Sequence, residues 1–236
     1  MKKVLFLLPI ALMTLWACHK EKQIVEPLQF GTVTDVDGNI YKTVKIGSQW
    51  WMCENLKVKH YNDGSAIHWI DINGLDSNWS HATDGAYCYI NDSIYGKLYN
   101  YLAVSDARKL APEGWHIPTD GEWQTLEKSI GMTDAQTAGL AWRGTAVAEK
   151  LLVKSSIGWP ANSVLFGTDE VGFSALPGGV RISNGSINTS QSVGFWWTST
   201  MKDNLVYYRY IDAQFRGVFR QYTQPSYGMS IRCVKD

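Results

Sequence analysis

Between Gly179 and Val234 the chain runs through a close succession of short β signals, and this constrains its fold more than any other feature. Gly179 to Asn188 has the form of a hairpin about Asn184-Gly185. Phe195 to Thr200, Leu205 to Ile211, Gly217 to Tyr222 and Gly228 to Val234 follow, rich in aromatic and β-branched residues. The same signal opens the domain. From Gly31 to Met52, Asp37-Gly38 and Gly47-Ser48 separate runs of Val, Ile, Tyr, Thr and Trp. Within them Lys42, Val44 and Ile46 alternate with Tyr41, Thr43 and Lys45, so one face should be more apolar than the other. Strands and helices do not alternate as a doubly wound fold requires. The expected class is α+β with antiparallel strands dominant, two short helices and long irregular loops.

The clearer helix starts inside GWHIPTDGEWQTLE, residues 114–127. Thr119 and Glu122 form a T-x-x-E capping box, and Asp120 and Glu122 suit the positive end of a helix dipole. Trp123, Leu126 and Ile130 fall at helical spacing, and Gly131 stands where a helix stops. His116 is left without an evident partner and is given a structural role. A second helix is expected from about Thr145 to Val153, burying Val147, Ala148 and Leu151. From Asn55 to Asn100, Gly64, Gly74, Gly85 and Gly96 stand among many Asn, Asp and Ser, which points to long ordered loops of the kind that often carry function.

The opening segment, MKKVLFLLPIALMTLWAC, has two Lys and then an apolar run from Val4 to Trp16, too short for a membrane span and shaped like a secretion signal. Leu15-Trp16-Ala17-Cys18 resembles the bacterial lipobox, in which the Cys becomes the lipidated first residue of the mature protein. Residues 1–17 are then a lipoprotein signal peptide, Cys18 is the lipidation site and 18–30 form a tether. His19 in place of Asp removes the usual inner-membrane retention signal and implies outer-membrane sorting, with the domain at the cell surface. Loss of residues 1–17 takes Lys2 and Lys3 and no acid from 22 basic and 22 acidic side chains, leaving 20 against 22, a formal charge of −2. Nothing in that balance recommends nucleic acid as a partner. The remaining residues, 31–236, suffice for one sizeable core.

Taken in order, several blocks resemble one family. They are Trp50-Trp51-Met52-Cys53-Glu54-Asn55-Leu56, Tyr87-Cys88-Tyr89-Ile90-Asn91-Asp92, Gly96-Lys97-Leu98-Tyr99-Asn100-Tyr101, Leu110 to Thr119, Gly172 to Gly179, Phe195-Trp196-Trp197-Thr198-Ser199-Thr200 and Ser230 to Asp236. This series is similar to the signature blocks of the FISUMP family (Fibrobacter succinogenes major paralogous domain), and the likeness covers nearly all of residues 31–236. The resemblance implies a bacterial surface or secreted domain, often a lipoprotein, without an activity established for the class. Trp115 to Trp123 also resembles the R-L-P-T-x-x-E-W block of the formylglycine-generating enzymes, which share a variant of the C-type lectin fold. That analogy implies a C-type-lectin-like architecture and brings no activity with it.

Candidate sites are weighed on these terms. With Cys18 lipidated, Cys53, Cys88 and Cys233 remain, and three pairings are open. The resemblance implies a Cys88–Cys233 disulfide, since both lie where the family usually has Cys, and leaves Cys53 a small buried thiol. The two reactive Cys of the formylglycine-generating type are not matched by a close Cys pair near the C-terminus. His19, His60, His68, His81 and His116 lack zinc-ligand spacing. No nucleophile elbow marks a hydrolase, so no catalytic residue and no metal site are assigned. Calcium is the one cofactor with available ligands, namely Asp71, Asn73, Asp76, Asn78, Asp84, Asn91 and Asp92, although E-P-N and W-N-D are absent and loop Asx residues usually form turns. Trp50, Trp51, Trp115, Trp123, Trp196 and Trp197 belong to the fold blocks. Trp69, Trp79 and, less so, Trp142 and Trp159 stand where exposure is plausible. The expected ligand-binding residues are therefore Trp69, Trp79, Asn91 and Asp92, on a non-enzymatic domain for a glycan or protein ligand.

Overall fold

A computed structural model describes residues 27–72, 77–154, 158–160, 167–188 and 192–236. Residues 1–17, the lipidation site Cys18 and most of the 18–30 tether lie outside them. Three sheets organise the chain. The first has the order Phe30–Thr34, Ile40–Ile46, Gln49–Met52, Val234–Lys235 and Trp115–His116, so the two ends of the domain share one sheet. The second runs Ile187–Asn188, Val180–Arg181, Gly228–Met229, Leu98–Asn100, Ala86–Cys88 and His68–Trp69. The third runs Val193–Lys202, Leu205–Asp212, Val218–Thr223 and Ala141–Arg143. Pairing within the sheets is antiparallel except between His68–Trp69 and Ala86–Cys88.

Local signals account for much of this. Gly38 and Gly47 take φ of 80° and 59° in the two turns of the first sheet. Arg181 pairs with Ile187 across the hairpin at Asn184-Gly185, where the Ser186 amide donates to Asn184 Oδ1 at 3.0 Å. Strand Ile40–Ile46 departs from the expected single apolar face. Tyr41 and Thr43 are buried on one side and Val44 and Ile46 on the other, because core lies against both faces of the sheet.

The architecture is mainly β, with curled antiparallel sheets, so the α+β expectation overstates the helical share. Among the described residues the one helix longer than five residues is Asp120–Ser129. Short pieces stand at Ser77–Ser80, Asp92–Tyr95, Tyr101–Val104 and Asp134–Ala138, and the expected second helix is the single turn Ala148–Leu151. No helix among the described residues is long and apolar enough to cross a membrane.

Strand Val193–Lys202 divides the core. Trp196 points into a cluster with Trp51, Trp123 and Phe173, while Trp197 belongs to a second cluster with Tyr41, Tyr99 and Ile231. Asn55 ties these parts together: its Oδ1 accepts from Trp196 Nε1 at 2.9 Å and Arg232 Nε at 3.0 Å, and its Nδ2 donates to the Tyr95 carbonyl at 2.8 Å. All four groups are buried, so an unmade bond here would carry the full desolvation cost of a polar group.

The inner face of the third sheet meets helix Asp120–Ser129 through buried charge. Glu127 accepts from Arg143 Nη1 and Nη2 at 2.7 and 2.8 Å and from Arg209 Nε at 2.6 Å. Asp120 accepts from Arg209 Nη1 at 2.8 Å and from Arg220 Nε and Nη2 at 2.8 and 2.7 Å. Burial alone would push the Asp120 carboxyl up, but Arg220 and Arg209 hold it at about 2. Asp120 thus does more than suit the helix dipole. It joins the helix to strands Leu205–Asp212 and Val218–Thr223.

Candidate binding site

The most exposed Trp side chain among the described residues is Trp69, 49% accessible on the edge strand His68–Trp69. Its ring stacks on Tyr89, with centroids 6.3 Å apart and planes 22° from parallel. Tyr87 and Tyr89, two residues apart, both face the Lys97 ammonium, which lies 5.2 and 5.4 Å from their ring centroids. Lys97 is fully buried and donates to Asp92 Oδ1 at 2.5 Å. Burial lowers the Lys97 pKa, with Asp92 opposing. Trp69, Tyr89, Lys97 and Asp92 therefore form one continuous contact chain from an exposed ring to a carboxylate.

That chain borders an open cavity of about 530 Å³ whose wall includes Asn39, Lys57, Lys59, Tyr89, Asn91 and Asp92. Of the four expected binding residues, Asn91 and Asp92 line this cavity, and Trp69 lies beside it, stacked on the lining residue Tyr89. Asn91 is exposed, and its Oδ1 accepts from Ser93 Oγ at 2.8 Å. Tyr89, Lys59 and Lys97 were not legible as site residues. The alternation of Tyr87 and Tyr89 was the available signal for the first, whereas nothing local marks the two lysines.

Trp79 is a correction. It is 2% accessible, donates from Nε1 to the Ser226 carbonyl at 2.7 Å and stacks on Arg181 at 4.6 Å. A side chain so placed holds the second sheet and presents no face to a ligand. Trp159 is likewise buried, with Nε1 donating to the Ala175 carbonyl at 2.9 Å. Trp142 is half-buried and stacked on Phe215, centroids 4.3 Å apart.

The expected Cys88–Cys233 disulfide is also corrected. Both residues are free and buried, as is Cys53. Cys88 packs with Ile70, Trp79, Ala86 and Leu98, Cys233 with Tyr41, Met52 and Ile231, and Cys53 with Val44, Ile46 and Trp51. Each thiol sits in a different apolar cluster, and no bridge joins any two of them. Burial pushes the Cys53 and Cys88 thiols up to about 11, the opposite of a reactive cysteine.

Of the calcium candidates, Asn73 and Asp76 lie outside the described residues, as does the side chain of Asn78. Asp84 lies 3.6 Å from Arg108 Nη2, and Asp92 is held by Lys97. Asp71 is exposed. Among the described residues no group of three or more His, Cys, Asp or Glu is placed to hold a metal ion.

His116, expected to lack a partner, has two. Nδ1 lies 2.6 Å from Asp236 Oδ1 and Nε2 lies 2.7 Å from Glu122 Oε1. Burial lowers the His116 pKa, but the two carboxylates outweigh it and the net shift is upward. Glu122 also accepts from the Thr119 amide at 2.7 Å, so the capping box and the C-terminal residue are joined through one imidazole. With both nitrogens engaged, His116 is a clasp between Asp236 and the helix start.

Fold and site together define a mainly β domain with an aromatic shelf beside a polar cavity. Residues 44–235 match the family model described as the Fibrobacter succinogenes major domain. The chain belongs to that family. No curated protein and no solved structure gives a match.

Proposed function

We propose that this protein is a lipoprotein anchored in the outer membrane through Cys18, which displays a non-enzymatic domain that binds a glycan or a surface protein. The observation that carries the reading is Trp69, half exposed and backed by Tyr89 at the rim of the cavity that holds Asn91 and Asp92. A flat ring prepacked on a second ring offers apolar area with little rotamer entropy left to lose, and nearby amide and carboxylate groups can receive hydroxyls. The finer, C-type-lectin-like architecture is part of this proposal and rests on the block Trp115 to Trp123, which leads into the capped helix Asp120–Ser129.

The test is an array of glycans and envelope proteins probed with the detergent-purified full chain and its Trp69→Ala variant. A ligand that the wild type binds and the variant loses is the expected result. Binding unaffected by Trp69, or turnover of a substrate without any binder, would overturn the reading. A role as structural component of a surface assembly is favoured by another observation, the half-exposed aromatic face of the third sheet formed by Trp142, Phe195, Tyr208, Tyr210 and Phe219. Stable co-purification with envelope proteins, lost on substituting those rings, would mark it.

A further inference from the structure

The charges around the cavity lined by Tyr89, beside Trp69, are unevenly committed. Asp92 on its wall is neutralised by buried Lys97. Glu54, which does not line the cavity, takes the Lys57 ammonium at 3.0 Å. Asp37, also off the wall, accepts from His60 Nδ1 and from the backbone amide of Lys59, each at 2.5 Å. The Lys59 side chain is exposed on the wall and makes no ion pair among the described residues. Lys59 is also tied to the aromatic shelf, because its carbonyl accepts from the Ile67 amide at 2.8 Å, two residues before Trp69.

Resting on the binding function proposed above, we infer that the cavity takes a sugar bearing a carboxylate, with Lys59 on the carboxylate and the Trp69–Tyr89 shelf beneath the apolar face of the ring. The uncommitted donors fit such a ligand. Asn91 uses its Oδ1 on Ser93, and no side-chain bond of its Nδ2 is found among the described residues. The acids nearby are already engaged and repel the ligand less than free carboxylates would. A charge-assisted contact at a rim lysine discriminates by charge more than by area.

The test is calorimetric titration of the full chain with trigalacturonate and with its methyl ester, which keeps the sugar shape and removes the charge. Sialyllactose serves as an acidic probe of different ring type. An acid-over-ester preference of about tenfold is expected, abolished by Lys59→Ala, retained by Lys59→Arg and weakened by added salt. Trp69→Ala should weaken both forms alike. Sialyllactose binding with the same Lys59 dependence would extend the class to sialic acids, and its failure beside bound trigalacturonate would confine the class to hexuronates. Equal binding of acid and ester, insensitive to Lys59 but lost with Trp69, would overturn the inference and leave the binding function standing. Failure of every acidic probe while the array yields a neutral, Trp69-dependent glycan would do the same. Independence of all ligands from Trp69, or turnover of a substrate without any binder, would remove both.

Discussion

Replacing Glu127 by Gln isolates charge from packing, because the side chain keeps its shape while the carboxylate that receives Arg143 and Arg209 disappears. Both Glu127 and Arg209 are fully buried. In the variant Arg143 loses its acidic partner among the described residues, Arg209 and Arg220 keep only Asp120, and the new amide turns N–H groups toward guanidinium donors. An ordinary lost hydrogen bond costs about 1 kcal/mol, but leaving buried charge without its partner costs about 3–5 kcal/mol. Against a total of about 5–15 kcal/mol, that is a large share of the domain's stability. With a urea m-value of about 2–3 kcal/mol/M, the midpoint should fall by about 1–2.5 M at unchanged m. The assay is equilibrium unfolding followed by Trp fluorescence, with Arg143→Met added to close a double-mutant cycle. The double variant should be less destabilised than the sum of the singles, since removing Arg143 relieves one unpaired cation. A single-variant loss below about 1 kcal/mol, or strict additivity, would show that the network contributes only ordinary hydrogen bonds.

Asp120 gives the same network a pH signature. Its folded pKa of about 2 lies below the unfolded value of about 3.9, so its stabilisation is complete above about pH 4 and is lost as pH falls through about 2; Asp120→Asn should flatten that acid limb of melting temperature against pH. His116 has the opposite sign. With its pKa raised by Asp236 and Glu122, its contribution is present below about pH 6.5 and lost as pH rises through the folded value, and Asp236→Asn should lower the His116 midpoint in an NMR titration. Thr119→Ala removes the cap and should cost about 1 kcal/mol in urea unfolding while leaving ligand binding unchanged. Cys53, Cys88 and Cys233 should react with a thiol reagent only after denaturation and without any reductant; a thiol at 53, 88 or 233 that appears only after reduction would restore a bridge.

What the sequence determined by itself was set by neighbours a few residues apart. The capping box at Thr119 and the hairpin at Asn184-Gly185 depend on groups three or fewer positions away, and both formed as expected. The same logic holds at Thr133 and Gln136, a T-x-x-Q pair whose reciprocal bonds start the short helix Asp134–Ala138. Tertiary structure decided the rest. Asp120 and Glu122 look alike at a helix start, but one lies under the third sheet beside Arg209 and Arg220 and the other stays at the rim with His116. Trp69 and Trp79 stand ten residues apart in similar irregular sequence. The fold seats Gly228 against Trp79, leaving 2.6 Å where a Cβ would stand, and leaves Trp69 on a sheet edge. Whether an aromatic ring packs or binds depends on which distant backbone closes over it, and whether a carboxylate caps or bridges depends on which distant arginine arrives.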